Sequence, residues 1–530
     1  MKKENFTKLL SLGLIILLVS TSSLFAQTEV TGKIFPAGSA TPMSNVKIQV
    51  LDNSQLLTTT DHNGYFKLTV PEEESLVELS VSAPGYETQY IEVSKSSDLM
   101  VTMFAQDEEK TTNDYGKSVG ISAKLNPESR DGILVLESED QRFKYWFDTR
   151  VYLDGATYFG DGASEIGNGV NIRRARFALK TILWGHWGGE FDIDLAYNEV
   201  DLKDAYIRYI GNKWQVKAGN FKEPFSMERT TTSRYLTFLE RPMITEIAPS
   251  RHLGIAYRIY GNHYFFEGGA FSTEIVNGLM QDNNKSNGIS AGYSVTGRFA
   301  YAPIKKDKQV LHLGIAGSYR TPKLQELGDP ADAYRFNTRA ETSINRKKYL
   351  DTDFIEDVNY FTLMGFEGAY AYKNFKIIGE YMRNDIRRDA DKVPTGEDKP
   401  SIEGFYVAGS WLINNADYYY NMGEAEFNQV DFRDRKKGVF ELGLRYDFSD
   451  ANSFADGSDI PYVQGGSSEG YTIGLNYYVN YNVKFMLNYT YINNDRWADG
   501  KGKYATDKTA PTGEGGIDFS IVQARLEIDF

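Results

Sequence analysis

From Val522 to Phe530 the chain alternates without a break. Val522, Ala524, Leu526, Ile528 and Phe530 fall on one parity, and Gln523, Arg525, Glu527 and Asp529 fall on the other. A period of two is the mark of a β-strand with one apolar and one polar face. The pattern recurs far upstream, where Phe143, Tyr145, Phe147, Val151 and Leu153 oppose Lys144, Asp148, Arg150 and Asp154. In a water-soluble sandwich the apolar face points inward. In a membrane barrel the arrangement inverts, with lipid outside and a wet, charged lumen inside.

The N-terminus decides between the two. Lys2 and Lys3 precede an apolar run from Leu9 to Val19, and small residues through Ser23 and Ala26 lead to an expected cut before Gln27. Residues 1–26 therefore read as a secretory signal peptide, excluded from the fold. Beyond it there is no stretch of roughly 18 or more apolar residues, so no membrane helix is encoded. An exported chain without such a helix crosses a membrane only as a closed barrel. An aromatic content of 14% is ample for interfacial girdles, and a mean hydropathy of −0.44 suits a barrel with polar lumen and loops. The absence of cysteine excludes disulfides, thiolate metal sites and a lipid-anchored cleavage site. A net charge of −14 speaks against nucleic acid as a partner.

Residues 28–105 read as a small all-β domain. Val46–Val50 and Tyr65–Val70 are strand-like, separated by turn chemistry at Asp61-His62-Asn63-Gly64 and Pro84-Gly85. Val30-Thr31-Gly32-Lys33-Ile34, Thr60–Phe66 and Ala83-Pro84-Gly85-Tyr86 resemble the carboxypeptidase-regulatory-like domain, which implies a seven-stranded β-sandwich without catalytic residues. Residues 106–142 read as a linker and pre-barrel segment, polar from Asp107 to Lys117.

From Phe143 to Phe530 alternating runs are joined in turn by short and long connections. Tight turns are expected at 184–186, 211–213, 261–262, 373–374 and 480–482, and long loops near 160–169, 221–253, 323–356, 451–468 and 494–517. The count is 16 strands, roughly 24 residues for each strand and its connection. The fold class is thus all-β, a 16-stranded antiparallel transmembrane β-barrel behind an N-terminal β-sandwich domain. One stretch fits poorly: 413–437 is a long polar insertion on the short-turn side and could hide a hairpin.

Gly219-Asn220-Phe221-Lys222-Glu223-Pro224-Phe225-Ser226-Met227-Glu228, with Ser233 and Phe238-Leu239-Glu240-Arg241, resembles the phosphate-selective porin O and P family. Arg173-Arg174-Ala175-Arg176-Phe177, Gly438–Tyr446, Gly474–Tyr478 and Met486–Tyr489 resemble it too, in the family's order. The resemblance implies a trimeric outer-membrane channel for small solutes or anions, and the order of signals along the chain places the N-terminal domain in the periplasm. It further implies that the loop after the fifth strand, here 221–253, folds into the lumen as a constriction. The closing alternation ending on Phe530 resembles the signal read by the barrel assembly machinery, with outer-membrane lipid as the solvent.

A partly desolvated phosphate needs several charge-assisted donors, and guanidinium supplies them in a fixed fork. The expected anion path is Arg174, Arg176, Lys180, Arg150 and Arg208. Lys222, Arg229, Arg234, Arg241 and Arg251 are the cations of the constriction loop. Parity sends Ala175, Phe177 and Leu179 to lipid and Arg174, Arg176 and Lys180 to the lumen, leaving Arg173 on the lipid side. Against a dedicated path stands neutralisation. If paired positions sum to 370, Lys180 faces Glu190 and Arg176 faces Asp194, and such pairs contribute little.

No metal or cofactor is expected, because His62, His186, His252, His263 and His312 lack ligand spacing and read as turn or surface residues. Asp282–Gly288 lacks the later glutamate of a helix-loop-helix calcium site and reads as an exposed loop. Three rival classes remain. A TonB-linked transporter needs a plug that 106–142 cannot hold. An adhesin-type barrel would use the periplasmic module to bind a partner. A barrel enzyme would need an acid and a base around a nucleophile such as Ser250 near His252.

Overall fold

The computed structural model describes residues 27–51, 53–71, 76–94, 98–105, 111–112, 118–119, 124–130, 132–160, 166–272, 292–322, 330–499 and 516–530. The signal peptide and the Asp282–Gly288 loop lie outside them, as does most of the 107–117 linker. Within that linker Thr111–Thr112 pairs with Ser118–Val119. The chain divides into two compact units, 1–125 with 138–141 and 126–137 with 142–530.

The N-terminal unit is built from two sheets. In one, Gln27–Pro36 lies between Tyr65–Pro71, antiparallel, and Asp98–Met103, parallel. In the other, Lys47–Val50 lies between Asn53–Thr59 and Leu76–Ser82, with Gln89–Ser94 at the edge. Val30, Ile34, Ile48, Phe66, Leu79 and Met103 are fully or almost fully buried between them. Here the apolar parity points inward, as water requires.

The larger unit inverts that rule. Its wall strands are β1 (Phe143–Phe159), β2 (Gly169–Leu183), β3 (Trp187–Asp194), β4 (Asp201–Ile210), β5 (Trp214–Lys222), β6 (Arg251–Tyr260), β7 (Tyr264–Phe271) and β8 (Ser294–Lys306). They continue as β9 (Gln309–Arg320), β10 (Val358–Tyr372), β11 (Phe375–Arg388), β12 (Ser401–Leu412), β13 (Val439–Ser453), β14 (Val463–Tyr478), β15 (Val483–Asn494) and β16 (Phe519–Asp529). Each pairs antiparallel with the next, and β16 returns to β1 from Arg150↔Asp529 to Phe159↔Ser520, closing a 16-stranded barrel. On β16 Gln523, Arg525, Glu527 and Asp529 are buried, whereas Leu487 and Phe485 on the neighbouring outer face are 48% and 49% exposed. An apolar outer face around a charged interior is the pattern that only lipid can stabilise. The ring of Phe530 shares that outer face, while its backbone exchanges hydrogen bonds with Thr149.

The register of β2 with β3 pairs Arg176 with Asp194 and Lys180 with Glu190, the sum of 370 read from the sequence. Residues 106–142 hold more than a linker. Leu125–Arg130 and Ile133–Ser138 form a hairpin whose second strand pairs with Tyr145 and Trp146 of β1.

Among the described residues, three connections turn inward. The loop between β5 and β6 (223–250) crosses the lumen, as expected. The loop between β9 and β10 also enters, carrying a ribbon of Asn337–Arg339 paired with Lys348–Asp351; Ser343 Oγ reaches Asp154 and Tyr158 Oη reaches Thr342. From the short-turn end, 413–438 hides the suspected hairpin: Ala416–Asp417 pairs with Asp431–Phe432, and Tyr420–Asn421 with Glu426–Phe427. It adds nothing to the wall and lies in the lumen, where Arg298 donates to the carbonyls of Glu424 and Ala425.

Two histidines depart from the sequence reading. His252 and His312 are buried in the lumen, His252 at 2.8 Å from Glu223 and His312 against Tyr420 and Glu367. Both sit on the lumen parity of their strands, next to the exposed Leu253 and Leu313, a signal that the reading of five isolated histidines as turn or surface residues did not use.

Candidate functional site: a cationic chamber across the barrel

The β5–β6 loop folds inward because both of its faces find partners on the wall. Phe225, Phe238, Leu239, Met243 and Ile244 are buried. Phe238 lies over Gly443 and Gly474, where a Cβ would come within about 3.0–3.2 Å of its ring. The wall is thinned to backbone at the points where the loop's large side chains land.

The loop's polar groups are held as firmly. Its one α-helical turn, Met227–Thr230, presents its first N–H groups to two wall carboxylates: Met227 N–H donates to Glu367 and Glu228 N–H to Glu380, each at 2.7 Å. At the other end Lys222 Nζ donates to the carbonyls of Thr230 (2.9 Å) and Thr231 (3.4 Å), and Arg241 donates to those of Glu228 (2.8 Å) and Thr231 (2.6 Å). Anions at the N-terminus and cations at the C-terminus both match the helical dipole. Further along, Glu240 takes a fork from Arg173 (2.7 and 3.0 Å) and a third bond from Arg525 (3.0 Å).

Between loop and wall lies a chamber of about 560 Å³. Sixteen lysines and arginines line it against ten aspartates and glutamates, a surplus of six positive charges in a chain whose net charge is −14. The acids Glu367 and Glu380 lie behind the loop and do not line it.

The expected path residues divide into two groups. Arg150 and Arg234 both bond Asp148, and Lys180 lies 3.1 Å from Asp148 and 3.4 Å from Glu190. Arg176 bonds Asp194 (3.0 Å) and approaches Asp192 (3.6 Å), Arg251 forks onto Asp204, and Arg229 reaches Glu246. These cations are neutralised. Arg174, Lys222 and Arg241 also line the chamber but have no carboxylate partner among the described residues, and Arg174 Nε is buried without any hydrogen bond. Arg208 does not line the chamber; it faces the lumen nearer the 211–213 turn, with Nη1 on Gln215 Oε1 at 3.2 Å.

Arg173 requires a correction. Tyr152 pairs with Arg174 but Leu153 pairs with Ile172, so Arg173 is the extra residue of a β-bulge. The bulge breaks the parity count, and Arg173 turns into the lumen onto Glu240 instead of toward lipid. Sequence reading also passed over Lys217, Arg339 and Lys348, which line the chamber without a carboxylate partner among the described residues. Lys217 shares the lumen parity with Gln215 and could have been found. Arg339 and Lys348 come from the β9–β10 loop, where no period announces which way a side chain faces.

Glu190, Asp192 and Asp204 bring carboxylate oxygens within 4.8 Å of one another, a spacing that could hold a cation. The arrangement already has its counter-charges in Lys180, Arg176 and Arg251.

Comparison with known proteins agrees with this architecture. Residues 146–530 match the family described as phosphate-selective porin O and P, and residues 30–115 match the CarboxypepD_reg-like domain. An uncharacterized protein of Caulobacter vibrioides is 26% identical over 69% of this chain and 69% of its own length. Porin O of Pseudomonas aeruginosa is 23% identical over 70% of this chain and 88% of its own. Among solved structures, the anion-selective porin from Comamonas acidovorans aligns with a TM-score of 0.46 at 13% identity, covering 73% of this chain and all of that one. A closed barrel with a charged lumen and the family match over residues 146–530 make a porin-like outer-membrane channel, and the chain belongs to the phosphate-selective porin O and P family.

Proposed function

We propose that this porin passes small anions, phosphate among them, by passive diffusion through the cationic chamber. In this reading the barrel works as a homotrimer in the outer membrane, is inserted by the barrel assembly machinery through the Phe530 signal, and carries its N-terminal sandwich in the periplasm. The observation that carries the reading is the chamber's surplus of cations, above all Arg174, Lys217, Lys222 and Arg241, none of which forms an ion pair with a carboxylate among the described residues. Thr230, Thr232 and Ser233 add hydroxyls to the same wall. Such a set strips and replaces part of an anion's hydration, while donors spread over several sites keep any one from trapping it.

The test separates free cations from paired ones. Arg174→Glu with Arg241→Glu should turn an anion preference into a cation preference, read as the sign of the reversal potential across a salt gradient. Phosphate should also stop competing with chloride current. Arg176→Glu places a third negative charge beside Asp192 and Asp194, so it should chiefly lower the yield of assembled barrel. A well-assembled double variant with the parent's ion preference would leave a general porin with neutralised walls.

A further inference from the structure

Of the ten carboxylates that line the chamber, eight are ion-paired with an arginine or lysine. Glu424 and Glu426 form no ion pair among the described residues. Both belong to the tip of the inserted hairpin, where Glu424 is exposed and Glu426 largely buried, and both line the chamber. The wall brings two guanidinium groups to this tip, but their charge is already matched. Arg258 bonds Glu267 (2.9 and 2.7 Å) and turns its Nη1 to the Gly423 carbonyl (3.1 Å). Arg298 bonds Glu367 (2.7 Å) and the carbonyls of Glu424 (3.2 Å) and Ala425 (2.7 Å). The backbone of the tip is thereby fixed while its two carboxylates stay open. The same chamber holds Arg174, Lys217, Lys222, Arg241, Arg339 and Lys348, half-buried and likewise without an ion pair among the described residues. Open donors and open acceptors thus face one space.

Inorganic phosphate matches half of this set. Its oxygens accept from the cations, but an ionised carboxylate is an acceptor too and repels it. Glu424 and Glu426 therefore weaken the hold on a bare phosphate and favour a solute that brings donors of its own. An ammonium group is opposed by the chamber's surplus of six positive charges. A hydroxyl is neutral and forms short, charge-assisted bonds to a carboxylate. Size points the same way: about 560 Å³ falls within the roughly 300–1,000 Å³ of sites that enclose drug-sized ligands, far more than one phosphate fills. We propose that the chamber prefers phosphate monoesters of polyols, sugar phosphates among them, with the phosphoryl group among Arg174, Lys222 and Arg241 and the hydroxyls on Glu424 and Glu426. The inference rests on the anion-channel reading and adds the class of solute to it.

Block of chloride current through the full chain in planar bilayers tests this with three probes: inorganic phosphate, glucose 6-phosphate, and cyclohexyl phosphate, which has a ring but no hydroxyls. Glucose 6-phosphate should block at about tenfold lower concentration than cyclohexyl phosphate, the discrimination that a hydrogen bond to a charged group supplies. In Glu424→Gln with Glu426→Gln that ratio should fall to about twofold. A ratio is the right measure, because losing two negative charges strengthens the hold on every anion alike. Glu424→Gln by itself, at an exposed position, serves if the double variant fails to assemble, and should lower the ratio about threefold. Equal block by glucose 6-phosphate and cyclohexyl phosphate in the parent would overturn the ester preference and leave the phosphate channel intact. So would a ratio that stays the same in an assembled variant. A parent barrel without anion preference, in which none of the three probes reduces the current, would remove both readings.

Discussion

Glu240 shows how much of this lumen rests on single residues. Its carboxylate joins Arg173 of the bulged strand to Arg525 of β16, and Arg445 bonds its backbone carbonyl at 2.9 Å. Removing one partner from a buried charge cluster typically costs about 3–5 kcal/mol, because the remaining charges stay buried and unpaired. Glu240→Ala should therefore lower the urea midpoint of the refolded barrel and leave the Arg173 guanidinium unpaired in the chamber, while Arg525 keeps its fork onto Asp154. Single-channel recording should show a stronger anion preference with a noisier open level. Arg173 marks the limit of sequence reading at this scale. Alternation along β2 correctly sent Arg174, Arg176 and Lys180 inward, and the pairing with Asp194 and Glu190 followed from the turn at Gly185. In Arg173-Arg174-Ala175-Arg176 nothing marks the inserted residue, because a bulge is a property of two paired strands and not of one.

At the scale of elements, the regular parts were legible and the inserted parts were not. Strands and tight turns follow from a period of two and from turn residues, so the wall could be laid out from 143 to 530. The three inward segments have no period. Which of them enters the lumen depends on matches such as Phe238 over Gly443 and Gly474, which join residues more than 200 positions apart. The N-terminal sandwich is the opposite case, where local chemistry suffices. In its 61–65 turn Asp61 Oδ1 accepts N–H bonds from Asn63 (2.8 Å) and Tyr65 (2.9 Å), and Gly64 takes φ +68°. The Tyr65 and Asn63 amides hold the Asp61 carboxyl below its usual 3.8. A depressed carboxylate contributes stability that is full above the unfolded value and is lost as pH falls through the folded one. Thermal unfolding of the sandwich, followed from pH 7 down to pH 3, should thus lose less on acidification in Asp61→Ala than in the parent. At pH 7 the variant should already be the less stable of the two.

At the scale of the whole molecule, two domains obey opposite solvents within one chain. The sandwich buries Val30, Ile48 and Leu79; the barrel buries Arg525, Glu527 and Asp529. Each completes its own hydrogen-bonded sheets, so neither needs the other to satisfy its backbone. Deleting residues 28–105 while keeping the signal peptide should leave a barrel that inserts, resists unfolding in detergent until heated, and conducts as the parent does. Loss of insertion despite normal secretion would show that the sandwich takes part in assembly.

The clamps on the β5–β6 loop also bear on how the pore responds to voltage. From Glu223 to Ser250 the loop carries four glutamates and three arginines, a net charge of −1. A membrane potential acts on a unit charge with about 2.3 kcal/mol per 100 mV, and only if the charge crosses the whole field. Detaching the loop means breaking the bonds of Glu367, Glu380 and Glu240 together, and parting even one such buried cluster costs about 3–5 kcal/mol. The loop behaves as a fixed spoke across a wheel, with too little charge to serve as its own voltage sensor. Current through the open pore should stay linear and quiet at 100 mV of either sign, and stepwise closures should appear only in variants such as Glu240→Ala, in which a fastening has been cut.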